Sequence, residues 1–301
     1  MRSASSIAFA TVILTTLALT ATLAANDGPP KMPQQAPAQR IVSLAPAFTE
    51  ILYALGLGDR VVGVTRYCTF PPEAQTKPKI GGFATPELES IVAVRPGLVL
   101  MLPADVFAQL EAKLRSMGIG AVQLPMDRVD DILAGIREVA RLCGEAENGK
   151  RLAHDIANKL QALRHLTEGR RRPKVLFLVG YDPLVVVGGA SFINELIDAA
   201  GGENVAGGDA RAYVTFSYER MLAAAPDVII NAAMGTDASA EQKQQFERTL
   251  SRWPSLPAVR EKRIHVIDIS LATVPGPRIT FLAATLASLF HPDLVAEGVL
   301  P

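Results

Sequence analysis

One stretch of this sequence occurs twice: Glu89-Ser-Ile-Val-Ala-Val-Arg-Pro-Gly-Leu98 aligns without a gap on Glu219-Arg-Met-Leu-Ala-Ala-Ala-Pro-Asp-Val228. In each copy a helical pattern ends before a proline, which cannot continue a helix. A run that is apolar on both faces follows at once, at residues 98–102 in the first copy and 228–230 in the second. A helix that leads into a strand buried on both faces is typical of a parallel sheet covered by helices.

A second stretch is also repeated, and in each half it precedes the first one along the chain. Glu50-Ile-Leu-Tyr-Ala-Leu-Gly56 aligns on Glu195-Leu-Ile-Asp-Ala-Ala-Gly201, and in each copy a glycine ends a helix. The offset is 145 residues here (50 to 195) and 130 residues in the first pair (89 to 219), so the loops differ while the order of elements is kept. We therefore predict two related lobes.

Strands and helices alternate along both halves of the chain. Between the halves, residues 148–167 have the apolar spacing of a helix, which would be about 30 Å long. The sequence therefore predicts an α/β fold in which two Rossmann-like lobes with mainly parallel sheets are joined by a single long α-helix. The strand-like runs are residues 40–45, 61–65, 98–102, 121–124, 174–179 and 228–230.

The first 25 residues are predicted to be an export signal. A single charge at Arg2 precedes an apolar run over residues 7–23, and small residues place the cleavage after Ala24 or Ala25. No Lys/Arg cluster follows the run, which argues against a membrane anchor, and we expect the mature protein in a periplasm. We divide the rest into a Pro- and Gln-rich tether (26–39), an N-terminal lobe (40–127), connecting helices that include the interlobe helix (128–170) and a C-terminal lobe (171–301).

The composition describes a globular chain without net charge. Its 301 residues include 30 Lys+Arg and 30 Asp+Glu, with 49% apolar and 20% charged residues. This balance argues against disorder and against a nucleic-acid partner. Cys68 and Cys143 lie in a loop and at a helix end, so we expect two free thiols. Scattered histidines make a His-rich metal site unexpected; they are His154, His165, His265 and His291.

The chain lacks the sequence motifs of common enzyme classes. It has no Gly-x-Ser-x-Gly, no Walker loop, no His-Glu-x-x-His and no Cys-x-x-Cys. The Gly56-Leu-Gly58 stretch follows a helix, so it is interpreted as a helix end and not as a dinucleotide loop. Enzymatic activity is not predicted. An exported α/β hydrolase and a structural or sensory two-lobed protein are the alternatives from other classes.

Aromatic residues gather in loops at one edge of the predicted sheets. Open parallel sheets bind ligands at the carboxyl ends of their strands. Any one of these aromatics could equally fill a gap in its own lobe. Together they predict a cleft for a large, flat, partly apolar ligand. Six of the few aromatics in the chain (11 Phe, 5 Tyr and 1 Trp) fall there: Phe48, Tyr67, Phe70, Phe83, Tyr181 and Tyr213.

The chain resembles the periplasmic substrate-binding proteins of ABC importers whose lobes are joined by one long helix. The resemblance spans residues 40–295 and implies a monomeric, non-enzymatic protein without a cofactor of its own. Such proteins deliver cobalamin, ferric siderophores or haem to permease subunits at the inner membrane. The motifs that carry it are Arg40-Ile-Val-Ser-Leu-Ala-Pro-Ala-Phe-Thr-Glu50, Val61-Val-Gly-Val64, Tyr67 with Pro71-Pro72, Leu88-Glu89 with Ala93 and Pro96, Gly201-Gly-Glu-Asn204, Ser217-Tyr-Glu219 and Pro277-Arg-Ile279.

Within the family, the aromatic pattern is most similar to that of cobalamin-binding members. Tyr67 precedes the Pro-Pro loop as it does there, while Phe83 and Tyr213 stand where those members have tryptophan. Phe48 stands where they have a smaller polar residue. The ligand-binding residues that the resemblance implies are Phe48, Tyr67, Phe83, Tyr181, Tyr213 and Arg278.

Stacking and shape, more than charge, favour a corrinoid over the other two ligands. Anionic siderophores require several Arg or Lys in the cleft. The loops offer Arg66, Arg211 and Arg278, and the last of these could instead tie its loop to the lobe. Haem needs an axial ligand and basic partners for its propionates, for which Tyr67 beside Arg66 could serve. Because cobalamin is bulky and nearly neutral, we rank a corrinoid first, a ferric siderophore second and haem third.

The repeat also singles out Glu89 and Glu219. Thr85 as N-cap with Pro86 at the first helical position predicts one helix start, and Ser217 as N-cap predicts the other. Both glutamates then fall in a first turn, where the helix dipole favours a carboxylate, and this could explain one of them. The resemblance implies that they meet arginines on the two permease subunits, one glutamate for each lobe.

Overall fold

The computed structural model describes residues 37–82, 85–181, 183–233 and 239–299. The predicted signal peptide, most of the predicted tether and the predicted binding residue Phe83 lie outside these ranges. Among the described residues, no helix is both long and apolar enough to cross a membrane.

A four-stranded parallel sheet forms the centre of the N-terminal lobe. The elements are β1 (Ile41–Ser43), α1 (Pro46–Ala54), β2 (Val61–Val64), α2 (Leu88–Ala93), β3 (Leu98–Met101), α3 (Asp105–Ser116) and β4 (Gly120–Gln123). The strand order is β2-β1-β3-β4, and every neighbouring pair is parallel. All residues of β1 and β3 are buried, as their apolar runs predict.

Two helices connect the lobes, α4 (Val129–Leu142) and α5 (Ala146–Thr167). With 22 residues, α5 is about 33 Å long at 1.5 Å per residue. Its buried residues include Ala153, Ile156, Leu160 and Leu163, which recur every three or four positions and form one apolar side. This helix contacts α4 on the N-terminal side and helices of the second lobe on the other.

A mixed sheet forms the centre of the C-terminal lobe. Its strands follow the order β10-β9-β5-β6-β8, with β7 beside β5. Pairs that join β5, β7, β9 and β10 are parallel, whereas β6 is antiparallel to both β5 and β8. The elements are β5 (Lys174–Tyr181), β6 (Leu184–Val187), α6 (Phe192–Ala199), β7 (Glu203–Asn204), β8 (Tyr213–Thr215), α7 (Tyr218–Ala224), β9 (Val228–Asn231), α8 (Ala240–Leu250), α9 (Pro257–Arg260), β10 (Ile264–Val266), α10 (Ile269–Thr273), α11 (Ile279–Phe290) and α12 (Pro292–Ala296).

The two lobes share a packing arrangement in addition to the two repeated stretches of sequence. In the first lobe α1 packs against α4, and in the second α6 packs against α11. The helix α5 contacts α4, α6 and α11. The predicted fold class, two α/β lobes with mainly parallel sheets joined by one long helix, is confirmed. The domain boundaries given above stay predictions.

One hydrophobic core runs through both lobes. Its buried members include Phe48 and Ile136 on the N-terminal side, Ile156 on α5, and Phe177 and Ile279 on the C-terminal side. Two smaller clusters each belong to a single lobe. Because the main core passes through α4 and α5, the lobes cannot separate widely without exposing apolar surface to water.

The two predicted helix starts have different outcomes. Ser217 is the N-cap of α7, and its side chain accepts a hydrogen bond from the backbone N–H of Arg220, as predicted. The start at Thr85-Pro86 is wrong, because α2 begins at Leu88 with Glu87 as N-cap. Pro86 instead forms an isolated antiparallel bridge with Gly81, which keeps this segment extended.

Candidate ligand-binding cleft

A cavity of 270 Å³ lies between the two lobes. The N-terminal lobe contributes the segments that follow β3 and β4, and the C-terminal lobe contributes the starts of α6 and β8 and the segment before α11. The carboxyl ends of the parallel strands β3 and β4 therefore face the cavity, where this kind of sheet binds ligands. The lining residues are Leu102, Pro103, Met126, Asp127, Ser191, Phe192, Ala212, Tyr213, Thr273 and Pro275.

Tyr213 is a predicted binding residue that lines this cavity. It begins β8, and 43% of its surface is exposed. Burial of its hydroxyl group raises the pKa of Tyr213, a hydrogen bond with Ser191 opposes this, and the Asp127 carboxylate raises the pKa further. Since Asp127 belongs to the other lobe, a phenol and a carboxylate face each other across the cleft.

Tyr67 and Phe70 expose their rings in the loop that follows β2. Tyr67 is 58% exposed, the most of the predicted binding residues that the structure describes. Phe70 is also exposed, and the Arg278 guanidinium lies 4.2 Å from the centre of its ring. This loop follows the same sheet edge as the segments after β3 and β4. It therefore extends the aromatic surface beyond the cavity. We call this extension, which Tyr67 and Phe70 form, the rim.

Tyr181 lies at the carboxyl end of β5 but does not line the cavity. Its hydroxyl donates a hydrogen bond to Oδ1 of Asn231 over 3.0 Å. Its ring centre lies 5.4 Å from that of Phe246. Burial raises the pKa of Tyr181, and the bond to Asn231 opposes this. These contacts hold the side chain within its own lobe.

Phe48 is fully buried, so its predicted contact with a ligand is wrong. It belongs to the core that runs through both lobes. The buried apolar face of α1 is formed by Phe48, Ile51 and Leu52, with Leu55 just beyond its end, at the spacing i, i+3, i+4 and i+7. This helical spacing turns Phe48 inward although it lies near the start of α1.

Arg278 is bound within the protein by Glu50. Its Nε and Nη2 donate to the two carboxylate oxygens of Glu50 over 3.0 and 2.6 Å, and Nη2 also donates to the Ser270 carbonyl over 3.1 Å. Burial raises the pKa of Glu50, while the hydrogen bond and the charge of Arg278 oppose this. The Arg278 guanidinium therefore holds the last long helix against the N-terminal lobe. Of the two roles that the sequence left open for Arg278, this is the structural one.

Two further arginines near the cleft also face carboxylates of this chain. Arg128 Nε lies 2.5 Å from Glu195 Oε1, and Arg211 Nη2 lies 2.8 Å from Asp209 Oδ2. Among the described residues, none supplies a carboxylate partner to Arg66, which is exposed. Of these four arginines, three are therefore balanced by carboxylates of this chain and Arg66 is not.

Glu89 and Glu219 are both exposed in the first turn of a short helix, α2 and α7. The Glu219 carboxylate is hydrogen-bonded to its own backbone N–H and to the Ser217 side chain. These hydrogen bonds lower the pKa of the carboxyl group. The helices α2 and α7 precede β3 and β9, the two strands that the sequence repeat matches. The glutamates thus occupy equivalent places in the two lobes.

Both cysteines are buried free thiols, as predicted. Thr49 Oγ1 donates to the Cys68 sulfur over 3.1 Å, and Thr65 Oγ1 lies 3.2 Å from it. Burial raises the pKa of Cys143 to about 11. Neither thiol lines the cavity.

Sequence reasoning did not identify several residues of the cleft. Asp127 and Ser191 line the cavity, yet neither belongs to a motif that would have singled it out. The ion-paired Glu50 and Glu195 did carry a signal, because they are matched positions of the internal repeat.

The chain is similar to several known binding proteins. The Vitamin B12-binding protein of Vibrio parahaemolyticus serotype O3:K6 (strain RIMD 2210633) is 28% identical over 245 residues, which cover 80% of this chain and 86% of that protein. The Uncharacterized ABC transporter substrate-binding lipoprotein YvrC of Bacillus subtilis (strain 168) is 29% identical over 266 residues, covering 86% and 82%. The structure of the periplasmic heme-binding protein RhuT from Roseiflexus sp. RS-1 matches with a TM-score of 0.74 and 31% identity, covering 85% and 98%.

These relatives are transport components that bind a substrate, and not enzymes. The prediction of a non-enzymatic binding protein is confirmed, and the hydrolase alternative is not supported. In such proteins the bound molecule is cargo and not a cofactor of the protein. Residues 41–271 match the family described as "Periplasmic binding protein", which covers well over half of the sequence. The chain therefore belongs to the periplasmic binding protein family.

Proposed function

We propose that this protein captures a corrinoid in the cleft between its lobes and delivers it, in the periplasm, to an ABC importer. Two of the similar proteins motivate the two halves of this proposal. One is named for vitamin B12 binding, and the other is named as an ABC transporter substrate-binding protein.

The pairing of the arginines near the cleft carries the choice of ligand. Arg128, Arg211 and Arg278 each face a carboxylate of this chain, and the Asp127 carboxylate adds negative charge to the cavity lining. An anionic chelate needs guanidinium groups that are free to hold its carboxylates or catecholates. A nearly neutral corrinoid has no such need, so this balance of charge favours it.

The exposed rings of Tyr67 and Tyr213 supply the attractive part of the interaction. One follows β2 in the N-terminal lobe and the other begins β8 in the C-terminal lobe. Aromatic side chains contribute buried apolar area and stacking against a flat ligand. A corrinoid between them would contact both lobes at once.

Haem is the second candidate, and one observation favours it. Tyr67 is exposed and adjacent to Arg66, so a phenolate ligand and a cation for a propionate are both present at the rim. The similar protein RhuT is named as heme-binding. Against haem, the described residues that line the cavity include no histidine and no lysine or arginine.

Calorimetric titration of the purified protein with cyanocobalamin, haemin and ferrichrome tests the choice. We expect one cyanocobalamin to bind per chain and no binding of the other two. Binding of haemin with the absorption spectrum of tyrosine-ligated iron, without binding of cyanocobalamin, would overturn the corrinoid in favour of haem. Binding of ferrichrome alone would place the protein with the siderophore carriers.

We further propose that Glu89 and Glu219 form the surface that meets the importer. Both carboxylates are exposed and lie in equivalent first turns of the two lobes. A pair of carboxylates at matched places can meet one arginine on each of two permease subunits, which sets register and orientation. The lowered pKa of Glu219 keeps that carboxylate charged.

A further inference from the structure

Two ion pairs join the lobes reciprocally. Glu50 on α1 of the N-terminal lobe pairs with Arg278 from the C-terminal lobe. Glu195 on α6 of the C-terminal lobe pairs with Arg128, which directly follows the last segment of the N-terminal lobe. Each lobe thus gives one glutamate; the arginine partner of Glu50 comes from the C-terminal lobe, and that of Glu195 comes from the start of the connecting helices.

The internal repeat relates these two pairs. Glu50 and Glu195 are matched residues of the stretches that align in the two halves. Arg128 and Arg278 are the N-cap residues of α4 and α11, the helices that pack against α1 and α6 respectively. Each arginine also ends a Pro-x-x-Arg stretch. These stretches are Pro125-Met-Asp-Arg128 and Pro275-Gly-Pro-Arg278.

The two pairs differ in how firmly they are held. The side chains of Glu50 and Arg278 are 2% and 23% exposed, whereas those of Glu195 and Arg128 are 19% and 52% exposed. Arg278 makes two hydrogen bonds to Glu50 and one to a carbonyl, and Gly276 packs close to the same carboxylate. The Arg128 side chain adds to its ion pair a long hydrogen bond of 3.4 Å, which it donates to the Gly189 carbonyl. An ion pair in contact with water is weak and is screened by salt, while a buried one is screened much less.

Both pairs flank the cavity between the lobes. Two of its lining residues are close in sequence to the pair of Arg128 and Glu195: Asp127 precedes the arginine, and Ser191 lies one turn before the glutamate. Thr273 and Pro275, which also line it, precede Arg278. At 270 Å³ the cavity is smaller than the roughly 300–1,000 Å³ of sites that enclose drug-sized ligands. A corrinoid is larger still, so it can enter this cavity only if the cavity widens.

We propose that Arg128 and Glu195 form a releasable latch, while Glu50 and Arg278 form a fixed joint about which the lobes move. Breaking the latch widens the cleft on the side of Met126, Asp127 and Ser191. The widening is limited, because the core through α4 and α5 stays intact. The need for widening rests on the proposed function, since it follows from the size of a corrinoid. The existence of the latch does not.

Distances between spin labels, measured by pulsed electron paramagnetic resonance on the full protein without ligand, test the latch. The labels are attached at Val106→Cys on α3 and Gly208→Cys in the C-terminal lobe. Val106 is exposed, and a side chain at Gly208 meets only open space. Both native cysteines are buried, so the labels go to the introduced ones. The variants are Arg128→Gln, Glu195→Gln and the exchanged pair Arg128→Glu with Glu195→Arg. The control is Arg141→Gln, which removes an exposed ion pair to Glu138 within α4.

We expect a narrow distance distribution in the parent and the control, and a broader one shifted to longer distance in both single variants. The exchanged pair should return the distribution towards that of the parent. Unchanged distributions in both single variants, or an exchanged pair as broad as they are, would overturn the latch. With cyanocobalamin as probe, association with Arg128→Gln should be several-fold faster than with the parent. If cyanocobalamin binds no variant while the distances respond as expected, the corrinoid proposal fails and the latch stands.

Discussion

The carboxylate of Glu50 accepts two hydrogen bonds from the guanidinium of Arg278, which lies 228 residues further along the chain. The pair joins the first helix of the N-terminal lobe to the last long helix of the C-terminal lobe. Because Glu50 is buried, the free energy gained in the pair has to offset the cost of removing a carboxylate from water.

Truncation of Glu50 should destabilise the protein strongly. Glu50→Ala leaves the partly buried Arg278 without its partner, and we expect the free energy of unfolding to fall by about 3 kcal/mol. Glu50→Gln should cost less, since its amide oxygen can still accept a hydrogen bond from the Arg278 guanidinium. Urea denaturation measures both, with Glu138→Ala in the exposed pair of α4 as control. A loss no larger than that of the control would contradict the role of the pair.

Acidification below pH 6.5 should destabilise the protein through His291. Burial lowers the pKa of this imidazole, which is 5% exposed, from its ordinary 6.5, although the nearby Asp293 opposes the shift. The neutral form is therefore the folded form, so its contribution is complete above pH 6.5 and is lost as the pH falls. Burial lowers the pKa of His265 as well, which adds to the effect. The free energy of unfolding should depend less on pH between 7.5 and 5.5 in His291→Gln. As a control, Gln161→Ala removes an exposed side chain that does not titrate, and it should keep the slope of the parent.

Loss of either exposed tyrosine should weaken binding of cyanocobalamin. Tyr67→Ala and Tyr213→Ala each remove one aromatic surface from the cleft, and calorimetry should give a loss of about 1–3 kcal/mol for each. Tyr218→Ala is the matched control, because Tyr218 is an exposed ring on α7 that stacks on Trp253 and does not line the cavity. If Tyr67→Ala and Tyr213→Ala both bind as this control does, the ligand lies elsewhere.

Replacement of Glu89 and Glu219 together should separate binding from transport. The double alanine variant should bind cyanocobalamin with the affinity of the parent, because neither residue lines the cavity. Uptake in vesicles with the reconstituted importer should be lost, and the double lysine variant should be at least as defective because like charges then meet. Glu297→Ala, which removes an exposed glutamate after α12, is the control. Normal uptake by the double alanine variant would rule out the docking role.

Movement of the lobes on binding should be small. The core that passes through α4 and α5 resists hinge bending, and α5 itself is continuous over 22 residues. Small-angle scattering should give nearly the same radius of gyration for the free protein and for the protein with cyanocobalamin. A marked decrease on binding would contradict this expectation.

The fold could be predicted because its signals are local and repeated. The stretch from Glu89 to Leu98 predicts a helix, its end before a proline and the start of a buried strand, and so does its copy. The antiparallel strand β6 was not predicted, because the alternation of strands and helices along the chain favours a helix after β5. The two residues between Tyr181 and Leu184 leave no room for a crossover, so β6 has to pair antiparallel with β5.

The cleft could be predicted only in part, because its contacts join residues that are distant in the sequence. Tyr67 and Tyr213 were singled out because they fall in loops at one edge of the predicted sheets, and Tyr213 lines the cavity. Phe48 was misplaced because its nearness to the start of α1 outweighed the helical spacing it shares with Ile51 and Leu52. The partner of Arg278 could not be read from the sequence, since no local pattern links it to Glu50.

The continuous core has a thermodynamic consequence for the whole protein. If one lobe unfolded alone, the apolar faces of α4 and α5 would be exposed to water, and the other lobe would lose part of its own stabilisation. The two lobes are therefore one cooperative unit, and heating should melt them in a single calorimetric transition. A destabilising substitution in either lobe then lowers the same melting temperature, so damage far from the cleft still reduces the amount of protein able to bind its cargo.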